Sequence, residues 1–182
     1  MMHRRFGAVV LFVLLGLSAG LRAQDKKPPT TLRGVLLEQL RSTHDQVKDF
    51  VPASVAVAGL TAEQAKWTPA KDQHSVGQLA YHLWFWDSSS LAEFKGEKPP
   101  TFSGNNDDTF NNYSPAQWDE LVKKLNQVMT DLEAAVQQAD DEKLAKNAML
   151  IARVSTHTSY HVGQILYVRK LQNAWDPSKG VK

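Results

Sequence analysis

His157 and His161 stand four residues apart in Val154-Ser-Thr-His-Thr-Ser-Tyr-His-Val-Gly-Gln-Ile165, one helical turn from each other. Val154, His157, His161, Ile165 and Val168 fall on one face of that helix, on the stripe where apolar side chains turn inward. An imidazole tolerates such a place when it is neutral and its nitrogens are satisfied. Two that point the same way can give their lone pairs to one metal ion. A third imidazole, His82, lies on the inner side of another predicted helix with Val76, Leu79, Leu83 and Trp86. Helix axes pack about 8–10 Å apart, so three rings on facing helices can meet. Three nitrogen donors with a coordination position left open is the pattern of a catalytic metal site rather than a closed structural one. The plainer alternative is three histidines that fill a core.

The remaining candidates are weaker. His157-Thr-Ser-Tyr-His161 has no Glu after its first His, so the general base of the zinc proteases is missing. His44, mid-way along the first predicted helix, reads as a partly buried or surface residue, with a place on the cavity wall or as a fourth ligand as the alternative. Gln164, one turn after both Tyr160 and His161, is placed to support a ligand ring from behind. Tyr160 points about 100° away from His161. His74, in a loop at a helix start, reads as solvated, and Trp86 and Trp118 read as core. Gly104-Asn-Asn-Asp-Asp108 lacks the spacing and terminal Glu of a calcium loop and reads as a turn cluster.

A length of 182 residues suits one domain. Met1 to Arg5 is basic, Phe6 to Leu17 almost wholly apolar, and Ser18 to Gln24 offers small residues for cleavage after Ala23. Residues 1–23 therefore read as a secretory signal peptide, leaving 24–182 as the domain and a periplasmic or secreted location. The apolar run is short of the roughly 20 residues a membrane span needs, so no stable anchor is expected after cleavage. Removing it takes away three arginines and no acid, moving the formal charge from +2 to −1. Nucleic acid is thus not an expected partner. With no cysteine, thiolate catalysis, cysteine metal sites and disulfides are excluded.

Four long amphipathic segments must carry the histidines. The first runs from about Thr31 to Phe50, with Leu36, Leu40, Val47 and Phe50 inward; Pro52 then kinks it or opens a short segment from Ala53 to Leu60. Thr61-Ala-Glu-Gln64 and Ser75-Val-Gly-Gln78 each carry the reciprocal capping pattern, the second opening a helix to about Phe94. The polar stretch from Lys95 to Tyr113 is too long to join neighbouring antiparallel helices and suits a crossover, or a lid over a site. Ser114-Pro-Ala-Gln117 marks the third start, and Trp118, Leu121, Leu125, Val128, Leu132 and Ala135 repeat 3-4-3-4-3. Ala139 to Lys143 breaks that helix, and the fourth runs from about Leu144 or Met149 to Gln172. No segment alternates as a strand does. The fold class expected is all-α, a four-helix bundle with a long crossover between helices two and three.

Ser75-Val-Gly-Gln-Leu-Ala-Tyr-His82 resembles the second-helix motif of the DinB/YfiT-like metal-binding family. His157-Thr-Ser-Tyr-His-Val-Gly-Gln-Ile165, followed by Tyr167-Val-Arg-Lys170, resembles its fourth-helix motif, and Leu60 to Trp67 its lead into the second helix. The resemblance implies the crossover bundle, a metal triad at His82, His157 and His161, and one divalent ion: zinc or nickel first, manganese or iron next. It also implies a homodimer. Some relatives are thiol-dependent transferases or isomerases, and one branch comprises metal-dependent hydrolases. An exported chain departs from the cytosolic norm of the thiol users. The expectation is a metal-dependent hydrolase or transferase acting on a small molecule. The alternative is a non-catalytic metal- or ligand-binding bundle whose ion stabilises the fold.

Overall fold

Thr31, Ser75 and Asp140 each start a helix by accepting a hydrogen bond from a backbone N–H of its first turn: Gly34 at 3.1 Å, Gln78 at 3.2 Å and Lys143 at 2.7 Å. The computed structural model describes residues 28–180, so residues 1–23, expected to be a signal peptide, lie outside the described residues. Among the described residues seven α-helices follow one another: α1 Leu32–His44, α2 Ala53–Val57, α3 Ala62–Lys66, α4 Val76–Lys95, α5 Asp108–Asn111, α6 Trp118–Gln138 and α7 Asp141–Leu171. No strand occurs among the described residues, and no helix there is long and apolar enough to cross a membrane. The reciprocal caps at Thr61–Gln64 and Ser75–Gln78 are both formed.

Three boundaries differ from expectation. The first helix ends at His44, and Val47 and Phe50 are exposed rather than inward. Pro52 disfavours helix only at Val51, so it does not set the end at His44; it marks the start of the next helix as its N-cap. The chain returns as α2, whose Ala53, Ala56 and Val57 are buried and which packs on α7. Ser114 caps nothing with its side chain: a 3-10 turn at Pro115–Gln117 precedes α6, whose Trp118 donates its indole N–H to the Leu60 carbonyl at 2.8 Å. The break before the last helix shrinks to Ala139 and Asp140. Asp140 caps α7 directly, and Asp141 and Glu142 suit the positive end of its dipole.

The long helices α1, α4, α6 and α7 form the bundle, with α1 and α4 each packed on both α6 and α7. At one end of α4, Gly77 lies under the Tyr113 ring, which meets Trp118 at the start of α6 edge-on. At the other end Phe94 shares an apolar cluster with Leu132 and Val136 near the end of α6. So α4 and α6 run the same way, and the connection between them must travel back along the bundle, as a crossover does. Two cationic side chains tie the corners. Arg33 donates to the carbonyls of Val136, Gln137 and Ala139 at the C-terminus of α6. Arg169, 4% exposed, donates to those of Ala56, Ala58 and Ala174.

Apolar side chains divide into two clusters. One gathers α2, α3, the first half of α4, the start of α6 and the C-terminal part of α7; the other gathers α1, the end of α4, the end of α6 and the first half of α7. Val154 belongs to the second and Val162 to the first, so His157 and His161 sit on α7 where one gives way to the other.

A Cβ at Gly77 would collide with the Tyr113 ring that docks the end of the crossover. Gly77→Ala is expected to lower stability in urea unfolding by about 1–3 kcal/mol. The same change made in a Tyr113→Ala background should cost much less, and equal costs in both backgrounds would show that the ring is not what opposes it.

Candidate metal centre

His82 stands two turns inside α4; His157 and His161 stand in the middle of α7. The packing of α4 on α7 brings their rings together, with centroids 5.0 Å apart for His82 and His157, 4.7 Å for His82 and His161, and 4.5 Å for His157 and His161. One ring nitrogen from each lies within 4.8 Å of the others. His82 and His161 are buried, and His157 is half-buried. No carboxylate or further histidine among the described residues joins that cluster.

The hydrogen bonds decide which nitrogens face inward. His82 Nδ1 lies 2.6 Å from Thr109 Oγ1, and the single hydroxyl proton of Thr109 goes to the Asn106 carbonyl at 2.6 Å. Toward His82 the hydroxyl can therefore only accept, so Nδ1 carries the imidazole proton and Nε2 a lone pair. His161 Nδ1 lies 2.6 Å from Gln164 Oε1, which also can only accept, so its Nε2 too is left with a lone pair. His82 Nε2 and His157 Nε2 stand 3.1 Å apart. Two nitrogens bound to one tetrahedral zinc at its usual distances stand about 3.3 Å apart. The donor set thus fits a divalent ion.

Protonation runs the same way. Burial, and then the neighbouring His161, His157 and His74, push His82 down to about 3. Burial and His161 push His157 down to about 4. Burial lowers His161 as well, against the opposing hydrogen bond to Gln164 and with a further lowering from His74. Near neutral pH the rings are neutral, the form that ligates.

The crossover supplies what spacing alone does not reveal. Thr109 and Phe110 of α5 are buried against His82, and the Phe110 ring stacks on it at 3.9 Å. His74 stacks on the other face of Phe110, also at 3.9 Å, so it is exposed as expected but closes a three-ring stack. The turn cluster before α5 holds Asn106, which receives the Thr109 proton. Only the length of the polar connection hinted at this cover. Gln164 reaches His161 as expected, and its amide donates to the exposed Tyr160 hydroxyl at 3.4 Å. His44 does not reach the triad: it is buried, with Nδ1 2.7 Å from Glu133 of α6, which also receives Arg41. Trp118 is core, whereas Trp86 is half-buried and lines a cavity of about 560 Å3 that opens on His82 and His157.

A family model described as the DinB superfamily matches residues 53–165, a span that holds all three histidines. No curated protein and no solved structure matches the chain.

A histidine with a lowered folded pKa binds fewer protons in the folded than in the unfolded chain below about 6.5. Its contribution is complete above that pH and is lost as the pH falls. For His157 the window runs from 6.5 down to about 4. In chelator, the stability of the wild type relative to His157→Gln should fall as the pH is lowered through this window, read from paired urea melts. A gap that does not change with pH would show that this ring is not held neutral by the fold.

Proposed function

The chain belongs to the DinB superfamily, and from that premise we propose that it holds one divalent ion through His82, His157 and His161. On this reading it is an exported protein that works on a small molecule beside the ion, as a hydrolase or a transferase. The observation that carries the proposal is the tautomer of His82, fixed by a threonine whose only proton is already committed to Asn106. A ring so arranged turns a lone pair inward, toward His157 and His161, as a metal ligand does. Zinc and nickel suit three imidazoles best, with manganese or iron next. A divalent ion there supplies Lewis-acid activation of a water or of a substrate nucleophile.

The chain's own groups divide the remaining work. Thr109 and Gln164 hold the protons of His82 and His161 and fix the ring planes. Phe110 covers one face of His82 and keeps water from it. The cavity on the side of His157 gives a small molecule access. That cavity, and the want of a fourth protein donor among the described residues, favour a ligand-accepting centre over an ion that only braces the fold. The export half of the reading rests on residues 1–23.

The test is elemental analysis of the mature protein, purified without chelator or affinity metal. About one divalent ion per chain is expected, and its loss in His82→Ala, His157→Ala and His161→Ala. No ion, and no uptake of added zinc, nickel or manganese, sinks the proposal. Thr109→Val keeps the shape of the side chain and removes the acceptor for His82 Nδ1–H. By calorimetric titration it should weaken zinc binding by roughly 10–100-fold; unchanged affinity would show that the tautomer lock does not matter.

A further inference from the structure

Asp87 lies on α4, five residues after His82, and is 1% exposed. Neither of its carboxylate oxygens has a hydrogen-bond partner. Such burial is costly, since the oxygens give up water and receive nothing. Aspartate is also a poor helix former, so local structure does not call for it. Yet Asp87 lines the same cavity as His82 and His157. A polar group that the fold leaves unpaired at the wall of a cavity is paired by what enters the cavity.

The other walls say what kind of group that is. Trp86 offers an aromatic face, Ser90 and Asn106 are neutral, and Glu93 and Arg153 balance one another, so Asp87 is the one acid of the wall without a counterpart there. An aromatic ring beside an unpaired carboxylate favours a cation and disfavours an anion. We propose that Asp87 anchors the protonated amine of a small molecule whose other end reaches the histidine triad. Burial pushes the free carboxyl up to about 8. An alkylamine, more basic than that, arrives as its ammonium ion, and the carboxyl gives its proton to solvent as the ammonium–carboxylate pair forms, so the net charge of the site is unchanged. The proposal rests on the metal-centre reading only for what the far end of the ligand meets.

The experiment titrates butylamine, butanol and butyrate into the full mature protein, with and without zinc, followed by amide and indole NMR shifts. Butylamine should bind about tenfold or more tighter than butanol, with butyrate weakest, and should shift the Trp86 indole. Asp87→Asn and Asp87→Ala should both erase the amine preference, and Asp87→Ala should raise Tm, because it removes the unpaired polar group. An amine that binds no better than the alcohol overturns the anchor. So does a preference that survives either variant, or a Tm lowered in both with the preference intact, which would mark the carboxyl as structural. The titration without zinc keeps the two readings apart. A chain that takes no metal but prefers the amine loses the metal centre and keeps the anchor; a zinc-loaded chain indifferent to the amine keeps the centre and loses the anchor.

Discussion

A neutral imidazole inside a bundle has one proton to place and one lone pair to spend, and where the proton goes fixes where the lone pair points. Here the protons of His82 and His161 point outward, to Thr109 and Gln164, and the lone pairs point inward. Much of the molecule follows from meeting that requirement. The α4 and α7 helices must lie close enough for the rings to meet. The connection after α4 must come back far enough to put a hydroxyl behind His82. The rings must stay uncharged, because three imidazoliums within 4.8 Å of one another would repel strongly at low dielectric.

The placement of this polar island is compatible with a stable fold because the apolar side chains do not run through it. They gather at the two ends of the bundle, and each group draws on α4, α6 and α7. Charged groups that the helix ends need are supplied from afar. Arg33 reaches the last carbonyls of α6, and Arg169 satisfies carbonyls from α2 and from the chain beyond α7 without a carboxylate. These contacts hold the ends, so the middle is free to carry groups that would be liabilities in a continuous core. Asp87, His82 and His157 share that middle region and one cavity.

What could be read from the sequence was periodic or local. The inward stripe through Val154, His157, His161 and Ile165 is a matter of 3.6-residue spacing, and the structure places those residues on one face. The caps at Ser75 and Thr61 are local chemistry within four residues, and both are formed. The crossover followed from length alone. What escaped depends on residues far apart in the chain. Thr109 and Phe110 gain their roles only because the connection folds back on His82, and nothing in Asn-Asp-Asp-Thr-Phe signals it. His44 resembled the triad members in type and helical setting, and only its Glu133 partner, on another helix, separates it from them. The early end of α1 goes with a separate α2 that packs on α7, a contact between distant segments that local spacing does not show. Asp87 is one acid among 19 in composition and becomes distinctive only by its lack of partners.

The parallel course of α4 and α6 has a consequence in time. Parallel neighbours cannot close as a hairpin; the long connection must be ordered before their contacts repay its entropy. That same connection carries the hydroxyl that aligns His82. A chain whose helices have formed but whose crossover is still loose would hold its histidines on one side of each helix with the rings free to turn. The alignment of His82 is thus tied to the ordering of the crossover, not to the formation of α4 itself. Helix formation alone therefore does not make the centre; the fold of the connection does.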